Sequence, residues 1–184
     1  MGSESRLKEE VLGGRLTVQA LVEAAVMIAL ATVLSVIVVY RAPQGGSVTP
    51  ASMVPLLVLA LRRGPRVGLM AGAVYGLIQL WIEPFMLHWL QVILDYPLAF
   101  ALLGLAGAFP RRPYLGVAAG ILGRGVSHVV AGAVFFAAYA PAGVSPWVYS
   151  LIYNGSYLIP ELALSLAVVL ILMAGTRGEL LRRV

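Results

Sequence analysis

The chain has 184 residues, a formal net charge of +5, 60% hydrophobic residues and only 11% charged ones. Soluble domains of this size carry about 25% charged residues, so a water-soluble globule is excluded and an integral membrane protein is expected. Cysteine is absent, which excludes disulfides and thiolate-held metals.

The opening "MGSESRLKEEVLGGR" is polar and lacks the apolar core and cleavage site of a signal peptide. Apolar runs of bilayer length follow, and six spans are predicted at about 17–39, 50–62, 65–82, 88–109, 113–138 and 146–174. The second is short, and Pro50 and Pro55 near its start point to a broken or partly re-entrant piece. The expected organisation is all-α: an N-terminal segment at 1–16, a single six-helix membrane domain at 17–174, and a C-terminal tail at 175–184.

Charge placement sets the expected orientation. Arg6, Lys8, Arg15, Arg62, Arg63, Arg66, Arg111, Arg112, Arg177, Arg182 and Arg183 fall on one side of these spans. Arg41 falls on the other side, and Arg124 lies within a span. The positive-inside rule then places both termini in the cytoplasm of a multi-pass plasma-membrane protein. The basic balance is a topology signal in contact with lipid, not a nucleic-acid footprint.

The first span carries "EAAVMIALA", with Ala25 and Ala29 four residues apart. Small residues at that spacing let a second helix approach closely; packing within the fold and docking to a partner protein are both open. The Gly/Pro-rich connections "YRAPQGGSVTP" and "AYAPAGVSPW" lie on the outer side, where such loops can cover a site.

Five ionisable residues fall within the spans: Glu23, Asp95, Arg124, His128 and Glu161. Each is costly in hydrocarbon and must face protein or a water-filled cavity. At about 1.5 Å of rise per residue, Asp95 lies roughly 10 Å and Asn154 roughly 12 Å below the outer helix ends. His128, climbing from the inner side, reaches the same outer half. Arg124, His128, Gly132 and Phe136 recur every four residues along the fifth helix, as do Tyr149, Tyr153 and Tyr157 along the sixth. Tyr96 follows Asp95, and Pro97 removes a backbone donor beside it.

A carboxylate, an imidazole, an amide and several aromatic faces at one level suit a flat, nitrogen-rich, cationic ligand. The plainer alternative is a structural Asp95–Arg124 ion pair. Glu161 lies deeper and is expected to bond helix to helix, whereas Glu23, near the cytoplasmic end, is expected either to snorkel or to pair locally and is assigned no role. No Gly-x-Ser-x-Gly elbow, His-Glu-x-x-His pair or phosphate loop is present, so neither an enzyme nor an ATPase is expected, and no cofactor or metal is implied.

Taken in order, "AAVMIALA", "VPLLVLALRRGPRVGLMAGAVYGL", "LQVILDYPLAFALLGLAG", "RGVSHVVAGAVFFAAYAP" and "VYSLIYNGSYLIPEL" resemble the thiamin-specific substrate-binding subunit (S-component) of energy-coupling factor vitamin transporters. The resemblance runs from about Leu21 to Leu172. It implies six membrane helices with the vitamin bound near the outer face beneath the first outer loop. It further implies that Asp95 contacts the aminopyrimidine, that Tyr96, His128, Tyr149 and Asn154 line the ligand, and that Gly132 leaves room for it. Arg124 takes a basic position near the site. Ala25 and Ala29 match a helix-one motif that docks on a transmembrane coupling subunit, which two ATPase subunits serve.

Three positions depart from the family's pattern. Asp95 stands where Glu is usual, Phe136 stands where a tryptophan stacks, and "RAPQGGSVTP" has no lid tryptophan. Trp81, Trp89 and Trp147, near outer helix ends, are candidates to replace that stacking. Another vitamin, or thiamin's pyrimidine precursor, therefore remains an alternative ligand. A standalone ion-coupled transporter with a proton relay through Asp95, Arg124 and His128 is the rival mechanism.

Overall fold

The computed structural model describes residues 17–43, 45–176, 178 and 179. Six members of the charge count, Arg6, Lys8, Arg15, Arg177, Arg182 and Arg183, lie outside the described residues. The described chain is mostly helix, in the order α1 (Val18–Val36), β1 (Tyr40–Arg41), β2 (Ser47–Val48), α2 (Val54–Arg63), α3 (Pro65–Ile82), α4 (Trp89–Ala108), α5 (Pro113–Phe135) and α6 (Pro146–Gly175). Of these, α1, α4, α5 and α6 are long and apolar enough to cross a bilayer. Glycines, Arg66 and Gln79 dilute α3, which is otherwise about 27 Å long.

Local sequence explains the boundaries. Thr17 caps α1 by accepting from the Ala20 N–H at 3.1 Å. Proline falls in the first turn of α2, α3, α5 and α6, where its missing N–H has no helical partner to lose. Gly64, at φ 87°, closes α2 and opens α3 in a left-handed conformation that side chains disfavour.

The short second element is fully inside the protein. All of α2 except Arg62 is buried, and its ten residues span only about 15 Å. It is a core peg around which the longer helices stand, and Leu57, Leu59 and Leu61 are completely covered. By contrast, α1 buries one narrow stripe, Ala20, Ala24 and Ala31, and leaves Val22, Val26, Leu30 and Val33 exposed, as suits a lipid-facing helix. Ala25 and Ala29 lie on that exposed side.

Glu23 does pair locally. Its Oε1 accepts from Arg62 Nε at 2.6 Å and its Oε2 from Arg63 Nε at 2.5 Å, so one carboxylate ties α1 to the last turn of α2. Arg63 is buried, and an uncompensated buried cation is costly. Glu23→Ala should lower stability by about 3 kcal/mol, read as a fall in the thermal midpoint in detergent; Glu23→Gln should fall between. An unchanged midpoint for Glu23→Ala would show that the cluster is solvated and idle.

Glycine builds the α3–α4 contact. Gly68, Gly72 and Gly76 form a ridge at four-residue spacing, and a Cβ on any of them would run into the backbone of α4: Gly104 for the first, Phe100 for the second, Tyr96 and Pro97 for the third. The helices therefore touch backbone to backbone, the small-residue packing that membrane helices use in place of a hydrophobic drive. Opposite Gly76, α4 widens into a π-helical turn over Leu94–Leu98, which contains Pro97. The Ser127 hydroxyl of α5 donates to the Leu94 carbonyl at 2.6 Å and so bonds a carbonyl of the distorted turn. π-Turns mark functional positions disproportionately, and this one carries Asp95 and Tyr96.

Candidate ligand-binding site

A cavity of about 300 Å³ opens between α4, α5, α6 and the loop joining α1 to α2. Asp95, Tyr96, Arg124, His128, Gly132, Phe136, Tyr149 and Asn154 all line it. The four-residue stripe on α5 and the tyrosine stripe on α6 are thus two walls of one space.

The polar side of the cavity is a continuous chain. Arg124 Nε donates to His128 Nε2 at 3.1 Å. Since Arg has only donors, His128 Nε2 is the acceptor, and the neutral ring carries its proton on Nδ1. That nitrogen lies 2.9 Å from Asp95 Oδ1 and donates to it. Asp95 Oδ2 accepts in turn from Gln91 Nε2 at 2.7 Å. Arg124 therefore reaches the carboxylate through His128, and the direct Asp95–Arg124 pair considered from the sequence is replaced by a relay. The guanidinium also sits 4.4 Å above the Phe100 ring, a cation–π contact that helps hold a charge away from bulk water.

The aromatic side is built from two places. On α6, Tyr149 stacks on Tyr153 at 6.3 Å, and Tyr153 meets Tyr157 edge-on at 5.8 Å. Phe136, at the end of α5, stacks on Phe85 with centroids 5.6 Å apart and planes 22° apart. Phe85 belongs to the loop joining α3 and α4. Tyr96 fixes that loop: its hydroxyl donates to the Glu83 carbonyl at 2.7 Å and accepts from the Phe85 N–H at 2.8 Å. The Tyr96 hydroxyl is thereby occupied, and its ring is the part left for a ligand.

Trp81, Trp89 and Trp147 lie away from the cavity lining. They are 89%, 65% and 54% exposed. Phe85, which stacks on Phe136, is the additional aromatic ring at the cavity. Gly132 also serves a different neighbour: a Cβ there would collide with the Ser150 hydroxyl, so the glycine makes room for α6. Asn154 is 4% exposed; its Oδ1 accepts from the Tyr157 hydroxyl at 2.5 Å, and its Nδ2 donates to the Ser150 carbonyl at 2.9 Å.

The β1–β2 hairpin, in the loop joining α1 to α2, covers the cavity. Gly46 N–H donates to the Tyr153 hydroxyl at 3.1 Å, and a Cβ at Gly46 would strike the Tyr157 ring. Beyond the hairpin, Glu161 Oε1 accepts from the Thr49 N–H at 2.5 Å and from its hydroxyl at 2.8 Å. Glu161 thus bonds the loop joining α1 to α2 and not another helix, contrary to the helix-to-helix bond expected of it. At the rim, Arg41 Nη2 donates to Glu83 Oε1 at 2.6 Å. The Glu83 carboxylate raises the Arg41 pKa above its ordinary value through this bond and its charge; solvent screens the pair on both sides.

Comparison with known proteins gives the family. The model of the family described as Thiamine transporter protein (Thia_YuaJ) matches residues 21–180. The chain belongs to this thiamine transporter family. Within it, the chain is 36% identical over 181 residues to the "Thiamine transporter ThiT" of Bacillus subtilis (strain 168), covering 88% of this chain and 93% of that one. It is 36% identical over 141 residues to the protein of the same name from Lacticaseibacillus paracasei, covering 66% and 70%. A solved ThiT structure from Listeria monocytogenes superposes with a TM-score of 0.79 at 27% identity, covering 89% of this chain and 97% of that one. The family resemblance read from the sequence is therefore correct, and the chain is a multi-pass membrane protein of a transporter family.

Proposed function

We propose that the chain is the thiamin-binding S-component of an energy-coupling factor transporter: one membrane domain over 17–174, six helices, both termini cytoplasmic. Thiamin is taken from the outside into the cavity. Transport is driven by two ATPase subunits through a transmembrane coupling subunit, since the chain has no phosphate loop of its own.

The observation that carries this reading is the half-buried Arg124–His128–Asp95 chain, anchored by the buried Gln91 and facing an aromatic cavity. Asp95 accepts hydrogen bonds from the amino-bearing ring and helps balance the thiazolium charge. Tyr96, Phe136 and Tyr149 offer flat faces to the rings, His128 holds the carboxylate, and Gly132 and Asn154, whose Nδ2 donates to the His128 carbonyl at 3.4 Å, hold α6 against α5. The cavity opens at the loops that carry Arg41 and Glu83, whereas Arg62, Arg63, Arg66, Arg111 and Arg112 sit at the opposite helix ends. The positive-inside rule makes the cavity side the outer one. Exposure of Ala25 and Ala29 on α1 supports their use in docking to the coupling subunit, since they are not consumed by packing within the fold.

Calorimetric titration of the detergent-purified chain with thiamin tests the reading. Calorimetry is preferred to intrinsic fluorescence because no tryptophan lines the cavity. Saturable one-to-one binding is expected, weakened about tenfold by Asn154→Ala, which removes the partner of the buried Tyr157 hydroxyl. Binding of the pyrimidine precursor but not of thiamin would move the specificity to that alternative. Proton-gradient-dependent uptake by vesicles containing this chain alone would replace the S-component with a standalone transporter.

A further inference from the structure

Gln91 is 1% exposed, a costly place for an amide unless its hydrogen bonds are made. They are. Oε1 accepts from the Leu87 N–H at 3.0 Å, while Nε2 donates to the Phe85 carbonyl at 3.1 Å and to Asp95 Oδ2 at 2.7 Å. Chemistry fixes the amide's orientation: the flipped form would set NH₂ against the Leu87 N–H and oxygen against both a carbonyl and a carboxylate. One side chain thus grips two structures, the loop that carries the Phe85 ring and the carboxylate on the π-turn of α4.

We infer that Gln91 is a positioning residue for ligand recognition, fixing the Asp95 carboxylate relative to the Phe85–Phe136 stack. The inference rests on the thiamin-binding reading for its ligand, though not for its geometry. With His128 on Oδ1 and Gln91 on Oδ2, rotation about the Asp95 Cβ–Cγ bond is stopped. A carboxylate has about four lone-pair sites, so each oxygen retains one for a ligand. Two acceptors side by side, at a set height beside an aromatic stack, select a planar ring with N–H groups along one edge. Without Gln91, His128 can be met by either Asp95 oxygen, and the acceptor pair loses its fixed direction. An aspartate, with its short stem, needs this second hold because it cannot reach across to a distant ligand edge.

The chain's two histidines make the test independent of ligand. His128 reports on Asp95. His88, whose Nδ1 accepts from the Leu90 N–H at 3.1 Å and whose ring stacks on Phe135 at 5.1 Å, reports on the neighbouring loop and the start of α4. Histidine-ring ¹⁵N spectra of the ligand-free protein are compared for wild type, Gln91→Leu and Gln91→Glu. The leucine variant removes both donors and the acceptor, whereas the glutamate variant keeps an acceptor for Leu87, leaves the Phe85 carbonyl without a donor and sets a second carboxyl against Asp95, so that the pair shares a proton. In both variants the His128 signals should move while those of His88 hold, and thiamin should bind about tenfold more weakly. Movement of His88 with His128 unchanged would overturn the inference, leaving Gln91 a loop anchor; so would unchanged thiamin affinity in both variants. Should the wild type bind no thiamin, the functional reading falls, and the His128 spectrum still decides whether Gln91 positions Asp95.

Discussion

Asp95→Ala should weaken thiamin binding by about a hundredfold while the protein remains folded. Truncating one member of a buried, hydrogen-bonded charge pair costs about 2–5 kcal/mol, and two decades in affinity lie within that range. Asp95 is the acceptor shared by His128 and Gln91, so its loss leaves two donors facing the cavity where a cationic ligand needs an anion. Folding should survive because Arg124 is not held by Asp95 directly: its guanidinium keeps the Phe100 ring and His128 Nε2, and the cavity can admit water to the freed donors. Calorimetry gives the affinity and circular dichroism the thermal midpoint. A large drop in the midpoint with little loss of affinity per folded molecule would make Asp95 a structural ion-pair member. Asp95→Asn should be intermediate, keeping the acceptor oxygen but not the charge.

The site was legible in the sequence wherever helical periodicity brought chemistry to one face. Asp95, His128 and Asn154 stood out as polar residues in apolar runs at one depth, and the α5 and α6 stripes follow from a four-residue spacing. Gln91 is equally visible as a polar residue one turn before Asp95, but it is neutral, so the cost of charge in hydrocarbon does not single it out. Phe85, Glu83 and Gly46 could not be found in this way. They sit in loops, and loop geometry follows from tertiary contacts such as the Tyr96 hydroxyl bridge and the Tyr153 bond to Gly46. Glu161 departs from expectation for the same reason: its partner, Thr49, comes from a loop that reaches down to it. Sequence spacing can place a side chain along its own helix, whereas the reach of a loop toward that helix is not periodic.

The largest effect on folding should come from Gly72→Leu. A Cβ at Gly72 would overlap the Phe100 carbonyl and crowd the Ala101 Cα. These are backbone atoms inside a helix, so no rotamer change relieves the clash; α3 and α4 must separate. Separation breaks contacts along the ridge, including Gly68 against Gly104 and Gly76 against the Tyr96–Pro97 backbone. Overpacking of this kind costs about 1–3 kcal/mol when the surroundings can yield, and more here because the obstacle is main chain. The midpoint by circular dichroism in detergent should fall by about 10 °C, with thiamin binding lost in step because the π-turn bearing Asp95 rests on the same ridge.

Gly155→Ala is the control. Its Cβ would meet only the end of the Ile159 side chain, at an ordinary 3.6 Å. Glycine inside a helix is about 0.5–1 kcal/mol worse than alanine, so this substitution should leave the midpoint unchanged or raise it. If Gly72→Leu instead melts within a few degrees of wild type, the ridge is loosely packed. The position of Asp95 must then be set by its own hydrogen bonds and not by the approach of α3 to α4.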